Sequence, residues 1–267
     1  MKRSRSAAAP FGIWMFLFTV VPLGIVLWFA FTDKDGHFTF GNLSAIVDYA
    51  GTFGLSIGLG AIATVLCLVL AYPLAYSISR AGERVQQTMV LIIMLPMWMN
   101  FLLRTYAWMS LLETNGIINT LLSKLGLPAL QIMYTEKAVI LGMVYNFLPF
   151  MILPIYNTLI KLDPSLLNAS DDLGASPWQT FTRVTLPLSK PAILSGINMV
   201  FMPSVTTFVI SRLLGGSSTA LIGDIIEKQF KLVDDKGFGS AMSVIIMIFV
   251  FGLVALTREK DSEEVSL

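Results

Sequence analysis

The side chains that most often do chemistry in enzymes are scarce in this chain of 267 residues. Its only histidine, His37, lies in a polar loop, and its only cysteine, Cys67, lies in an apolar run where it is expected to pack as a small hydrophobic residue. No catalytic Ser-His-Asp or Cys-His set is available, and neither a metal nor a cofactor is expected. The sequence also lacks the Gly-x-x-x-x-Gly-Lys-Ser/Thr loop that binds phosphates. The chain is therefore not an enzyme on its own.

The composition indicates a protein whose outer surface faces lipid. Hydrophobic residues make up 55% of the chain and charged residues 13%, and the mean hydropathy is +0.74. A soluble domain carries roughly 25% charged residues, because charge keeps its surface hydrated. The net charge of +1 gives no reason to expect a nucleic acid partner, and the main surroundings of the chain are the lipid bilayer.

Six segments are long and apolar enough to cross a bilayer as helices, which takes about 20 residues each. They are residues 11–31, 53–78, 88–112, 138–160, 191–210 and 241–256. We therefore predict an all-α integral membrane protein with about six transmembrane helices. Residues 11–257 would form a single transmembrane domain between an N-terminal tail at 1–10 and a C-terminal tail at 258–267.

Basic residues predict how these spans are oriented, because cytoplasmic loops of membrane proteins carry an excess of lysine and arginine. The short loop 79–87 contains Arg80 and Arg84, and further basic residues lie in the N-terminal tail. We expect both termini, and the segment 161–190, to lie on the cytoplasmic side of a multi-pass protein.

The segment between the fourth and fifth predicted spans encodes two short helices. Asp163 can cap a helix that continues to a stop at Gly174, where glycine suits a left-handed conformation. Ser176 and Gln179 have the spacing of a capping box for a second helix. That helix is expected to end near Pro187, so the sequence predicts a helix–turn–helix that projects from the membrane.

Here the sequence resembles the EAA loop of type I ABC importer permeases. The pattern is Glu-Ala-Ala, three residues, Gly, nine residues, Ile, any residue and Leu-Pro, and it is matched by Asn168-Ala169-Ser170, Gly174 and Val184-Thr185-Leu186-Pro187. Asn168 and Ser170 replace the glutamate and the second alanine. The resemblance implies the type I ABC importer permease fold and a coupling helix that docks in a cleft of an ATPase. It assigns the coupling role to Asn168, Ala169, Ser170, Asp172, Leu173, Gly174, Ala175, Ser176 and Pro187.

Further stretches are similar to the PotB-type permeases of spermidine/putrescine importers. They are Arg104-Thr105-Tyr106-Ala107-Trp108, Leu148-Pro149-Phe150-Met151, Asp172-Leu173-Gly174-Ala175-Ser176 and Leu213-Leu214-Gly215-Gly216. The resemblance implies half of the translocation pathway of an ATP-driven polyamine importer in the bacterial cytoplasmic (inner) membrane. Its partners would be a homologous second permease subunit, two copies of an ABC ATPase that binds the ATP, and an extracytoplasmic polyamine-binding protein.

A polyamine is a polycation, which aromatic faces and amide oxygens can accompany along a path. The candidate residues are Trp98, Asn100, Tyr106, Trp108, Tyr145, Asn146 and Phe208. Trp98 and Tyr106, eight residues apart in the third predicted span, are expected to lie close to one stripe of a helix. No carboxylate lies in the middle of a span, which fits a path that passes substrate without holding it. The alternative for the aromatic residues is a belt at the membrane interface.

Two alternative functions remain open at this point. A permease for another small solute would share the mechanism and differ only in its binding protein. A secondary transporter or channel belongs to a different class and normally shows intramembrane ionisable residues or inverted repeats, of which we find neither. Co-purification with an ATPase separates these two classes.

Overall fold

The structure is a computed structural model that describes residues 4–33 and 36–264. Within this part of the chain the regular structure is helical, apart from an isolated β-bridge between Thr32 and Phe38. Residues 1–3 and 265–267, the ends of the two predicted tails, lie outside the described residues.

The helices are numbered α1 to α10 in chain order. α1 is Ser4–Met15 and Val21–Ala30 joined by a π-helical turn at Phe16–Val20, and α2 is Gly41–Ser44 and Ala50–Ser79 joined by a 3-10 turn at Ala45–Tyr49. α3 is Glu83–Trp98, α4 is Phe101–Leu112, α5 is Ile117–Lys124, α6 is Glu136–Leu159 and α7 is Pro164–Asp172. α8 is Pro177–Thr180 and Leu186–Thr206 joined by a π-helical turn at Phe181–Thr185, α9 is Ile222–Lys228 and α10 is Lys236–Glu264. Further π-helical turns at Ser211–Gly215 and Gln229–Val233 flank α9.

Among the described residues, five helices are long and apolar enough to cross a bilayer, and a bent pair brings the number to six if it counts as one span. This confirms the predicted all-α membrane fold. The third span is not one helix, however, and the prediction of a continuous span at 88–112 is wrong, because the chain bends by 92° after α3. Met99 is extended, and Asn100 starts α4 by accepting a hydrogen bond from the Leu102 N–H at 2.8 Å. Pro96 weakens the end of α3, since it lacks a backbone donor.

α8 also departs from the sequence prediction. A helix ending near Pro187 and a separate span at 191–210 were expected, and instead one helix of 30 residues runs from Pro177 to Thr206. In the π-helical turn the Leu186 N–H donates to the Phe181 carbonyl, and this wider turn gives the ring of Pro187 room within the helix. Both predictions are therefore wrong, although the apolar residues do lie in a membrane-length helix.

α2, α6 and α8 form the centre of the bundle. Cys67 of α2 is fully buried in their shared apolar cluster, as the sequence predicts. Glycines let the helix backbones approach closely, as is common in membrane bundles. A Cβ atom on Gly60 would lie 2.9 Å from Val205 Cγ2, and one on Gly196 would lie 2.6 Å from Met151 Sδ.

α1 lies at the edge of the bundle against α10. Of its side chains that the structure describes, Ala30 is buried, and large apolar ones such as Phe11, Trp14 and Trp28 are exposed. An apolar helix surface left uncovered by its own bundle faces lipid or the helix of another subunit.

Gly60→Leu is expected to destabilise the bundle, because the new side chain has no space between α2 and α8. Overpacking of this kind costs about 1–3 kcal/mol. The measurement is the melting temperature of the detergent-solubilised protein. Gly58→Leu is the matched control, since a Cβ atom there would meet nothing within 4 Å. Equal melting temperatures for the two variants would contradict this packing.

Candidate coupling loop and translocation pathway

Helix caps build the turn between α7 and α8. Asp163 accepts a hydrogen bond from the Ser165 N–H at 2.9 Å, and this bond holds the pKa of the Asp163 carboxyl below its usual value. Gly174 follows α7 with φ +74°, a conformation that glycine adopts without strain. The Gln179 N–H donates to Ser176 Oγ at 3.3 Å, and the Ser176 N–H donates to Gln179 Oε1 at 2.8 Å. The predicted cap at each helix start and the stop at Gly174 are confirmed.

The nine residues assigned to ATPase coupling do not all point outward. Ala175 is half-buried and Ser170 is buried, whereas the others are exposed, namely Asn168, Ala169, Asp172, Leu173, Gly174, Ser176 and Pro187. The Ser170 hydroxyl lies 2.8 Å from Thr180 Oγ1, so this departure from the EAA pattern links α7 to α8. Pro187 lies beyond the turn, on the long helix α8.

Two large apolar side chains project from the turn. Leu173 is 88% exposed and Trp178 is 71% exposed. Clustered apolar groups at the tip of a polar loop are typical of a docking surface for another protein. Trp178 was absent from the predicted coupling residues, because its place in the first turn of a helix does not by itself tell which way the ring points.

Aromatic rings connect this turn to the membrane helices. The ring of Trp178 stacks on Phe181 with 5.5 Å between centroids, and Phe181 makes edge-to-face contacts with Tyr72 and Tyr76 of α2 at 5.7 Å each. The Tyr72 hydroxyl lies 2.8 Å from Ser189 Oγ on α8. The turn is therefore in direct contact with α2 and is also continuous with α8.

The predicted pathway residues fall into separate places. Trp108 of α4 and Tyr145 of α6 touch edge to face, with ring centroids 5.2 Å apart. Trp98 and Tyr106 do not share a stripe, so that prediction is wrong, because the break after α3 places them on two helices that meet at an angle. Both of these rings are exposed. Phe208 is exposed just after the end of α8.

Two predicted amides have local roles. Asn100 caps α4, as described above, and its side chain is thereby occupied in holding the bend. Asn146 is buried and its Nδ2 donates to the Gly142 carbonyl of its own helix at 2.9 Å. Asn146 lies inside the bundle, whereas Asn100 lies at its surface.

Arg104 of α4 is an unusual buried cation. It is 8% exposed, and its Nε and Nη1 have no hydrogen-bond partner among the described residues. Its guanidinium carbon lies 5.9 Å from the centre of the Phe101 ring. A buried charge that keeps unpaired donors needs an acceptor from outside this part of the chain.

A cluster of charged residues lies at the end of α8 that is distant from the coupling turn. Its acidic residues belong to α9, which packs closely against the end of α8. The close approach requires glycine at position 223, because a Cβ atom there would lie 2.5 Å from the Thr206 carbonyl oxygen. Glu227 of α9 pairs with Arg212 and with Lys231. Glu227 is not recognisable as a site residue from the sequence alone, since carboxylates outside the spans carry no periodic signal.

Asp224, one turn before Glu227, completes this cluster. Its Oδ2 accepts a hydrogen bond from the Leu221 N–H at 2.9 Å. Burial raises the pKa of its carboxyl, although this bond and the nearby Arg212 act in the opposite direction. The cluster therefore contains carboxylates in water-poor surroundings, which is where a cation gains most from them.

Comparisons with known proteins agree with this architecture. Residues 68–258 match the family described as "Binding-protein-dependent transport system inner membrane component". The chain is 37% identical over 259 residues to the spermidine/putrescine transport system permease protein PotB of Escherichia coli, covering 93% of this chain and 94% of that protein. It is 36% identical over 254 residues to the protein of the same name from Haemophilus influenzae, covering 89% of each.

A solved structure shares the fold. It is the crystal structure of a bacterial ABC transporter involved in the import of the acidic polysaccharide alginate, with a TM-score of 0.81, 18% identity, and coverage of 96% of this chain and 94% of that one. The length of the family match and the level of identity to the relatives lead to one conclusion. This chain belongs to the family of inner membrane components of binding-protein-dependent transport systems, as a multi-pass permease subunit of the ABC type.

Proposed function

We propose that the chain is one of two permease subunits of an ATP-driven importer of the polyamines spermidine and putrescine. The observation that carries the proposal is the 37% identity, over nearly the whole chain, to a permease named for spermidine/putrescine transport. Membership of the ABC permease family argues against the secondary transporter and the channel. Another small solute would use the same mechanism, and the uptake measurement below decides between the two.

The second permease subunit, two ATPases and an external polyamine-binding protein complete the assembly. Exposed Leu173 and Trp178 support a docking role for the coupling turn, since apolar side chains at a cytoplasmic tip gain from being covered. The unpaired donors of Arg104 support a second permease subunit that supplies an acceptor. ATP is bound by the ATPase subunits, and this chain carries no cofactor.

Transport then follows from movement of the coupling turns. Closure of the ATPases on ATP brings the turns of the two permeases together, and contacts of Phe181 with Tyr72 and Tyr76 pass the movement to α2. The pathway opens to the outside as its inner end closes. ATP shifts this equilibrium only by its different affinity for the two states, and a full reversal requires roughly 5 kcal/mol.

Both termini and the coupling turn are placed in the cytoplasm by this proposal. Cysteines introduced at Ser176 and at Ser217, in a chain whose Cys67 is replaced by alanine, are expected to react with a membrane-impermeant label from opposite sides. Both positions are exposed, so access does not limit the reaction. Labelling of both from the same side of sealed vesicles would contradict the orientation.

Gly174→Val is expected to impair assembly with the ATPase or coupled transport, while the membrane helices still insert. The reason is the backbone, because a β-branched residue resists φ +74° whereas no atom lies within 4 Å of the added Cβ. Gly174→Asn is the matched control, since asparagine tolerates the left-handed region. Two quantities are measured: the amount of ATPase that co-purifies with the permease, and the stimulation of ATP hydrolysis in the complex. If valine and asparagine behave alike and like the parent, the turn is not the contact.

Cells without their own polyamine uptake are expected to accumulate radiolabelled spermidine when they express the complete importer, with putrescine as a competitor. Trp108→Leu is expected to slow this uptake by up to roughly thirtyfold, the equivalent of a desolvated cation–aromatic contact of about 2 kcal/mol. Trp28→Leu, at an exposed ring of α1, is the control and keeps the parental rate. A parental rate for Trp108→Leu assigns that ring to packing. Absence of spermidine uptake by the parent complex overturns the polyamine function itself.

A further inference from the structure

A cleft at the end of α8 brings together the groups that bind an organic ammonium ion. It measures about 430 Å³ and is lined by the chain after α8, by α9 with the turn that follows it, and by α10. Its lining includes the rings of Phe208 and Phe230 and the side chain of Glu227. Aromatic faces and a carboxylate both stabilise a cation that has lost part of its water, so the cleft has the composition of an alkylammonium site.

Glu227 pairs with two cations that are far more exposed to solvent than its own side chain. The Glu227 side chain is 10% exposed, whereas its partners Arg212 and Lys231 are 53% and 71% exposed. A carboxylate with so little exposure to water must keep a positive partner, because leaving it unpaired is costly. Arg212 hydrogen-bonds both oxygens of the carboxylate, whereas the more exposed Lys231 contacts only Oε1. Lys231 is therefore the exchangeable partner of Glu227, while Arg212 and the carboxylate stay in place.

The side chain of Lys231, one of the two partners of Glu227, resembles one end of a polyamine. Lys231 presents a primary ammonium on a four-carbon stem, the same group as one end of putrescine, and its Nζ lies 2.8 Å from Glu227 Oε1. Asp224 precedes Glu227 by three residues on α9, a spacing that places their Cβ atoms about 5–6 Å apart on one helix surface. Both acidic residues line a second cleft of about 310 Å³, together with Arg212, Lys228 and Lys231. A short diamine can span two carboxylates at that separation.

Resting on the polyamine function proposed above, we propose that Glu227, Phe208 and Phe230 form a binding site for substrate ammonium groups at the outer mouth of the pathway. Lys231 occupies this site when substrate is absent. Arriving substrate displaces the lysine, so one alkylammonium replaces another and the buried carboxylate is never left unpaired. Asp224 receives a second ammonium of the same substrate molecule.

Equilibrium binding to the purified permease–ATPase complex tests this site. The complex is placed in lipid nanodiscs without the external binding protein, and radiolabelled putrescine and spermidine are the ligands. Glu227→Gln is expected to weaken binding at least about tenfold, because it removes a charge-assisted hydrogen bond. Lys231→Met is expected to tighten binding roughly two- to fivefold, because it removes the competing ammonium and leaves the carboxylate. n-Butylamine, the alkylammonium of the lysine side chain, is expected to compete.

Lys124→Met is the matched control, since it removes one positive charge at an exposed position that lines neither cleft. Its affinity is expected to stay near that of the parent. Tighter binding by Lys231→Met alone separates a displaced competitor from a general change in charge. It also separates the site from a purely structural ion pair, whose loss would not improve affinity.

Three results would overturn the site. They are no saturable binding to the parent complex, unchanged binding by Glu227→Gln, and equal affinities for Lys231→Met and Lys124→Met. Spermidine uptake by the parent importer, measured separately, keeps the two proposals apart. If the parent transports spermidine and any of these results is found, the site fails and the polyamine function stands. A parent that neither transports nor binds polyamines overturns both.

Discussion

A helix in lipid must satisfy its own backbone hydrogen bonds, because no water is available to do so, and this constraint organises the chain. The chain departs from it at the bend after α3 and at the end of α8. Asn100 compensates the first break by capping α4, and Gly223 lets α9 pack closely against the second. Irregular backbone at this depth is tolerated where protein covers it or where it lines a cavity. The second break borders the cleft that contains Phe208 and Glu227.

The π-helical turns are a milder departure from the same rule. The one before Pro187 allows a single helix to extend from the coupling turn into the membrane, where the sequence alone predicted a stop. A continuous helix transmits a displacement along its axis with little loss, because its hydrogen bonds resist stretching. Phe181 lies within that turn and also touches α2. The turn that accommodates the proline therefore also anchors the aromatic contacts between the coupling loop and the bundle.

Charge is distributed in a way that suits a cation entering from the outside. The middle of the predicted spans holds no carboxylate, and the partly buried acidic side chains of α9 lie at the end of the bundle distant from the coupling turn. A strong fixed negative charge in mid-membrane would hold a polycation and slow its release. In the site proposed above, a substrate ammonium replaces Lys231 at a carboxylate that is already paired, which avoids a deep energy minimum. Capture and passage are thus assigned to different parts of the molecule.

The sequence by itself determined the features that depend on neighbours a few residues away. Apolar runs predict the spans. The caps at Asp163 and Ser176 and the stop at Gly174 depend on side chains or backbone within three residues, so the order of residue types is enough to predict them. Tertiary structure alone decided what depends on distant parts of the chain. It brings Phe208 to the same cleft as Glu227, places Phe181 against Tyr72 and Tyr76 of α2, and brings Trp108 against Tyr145. Packing between helices sets these positions, and packing leaves no periodic signal in the residues that it brings together.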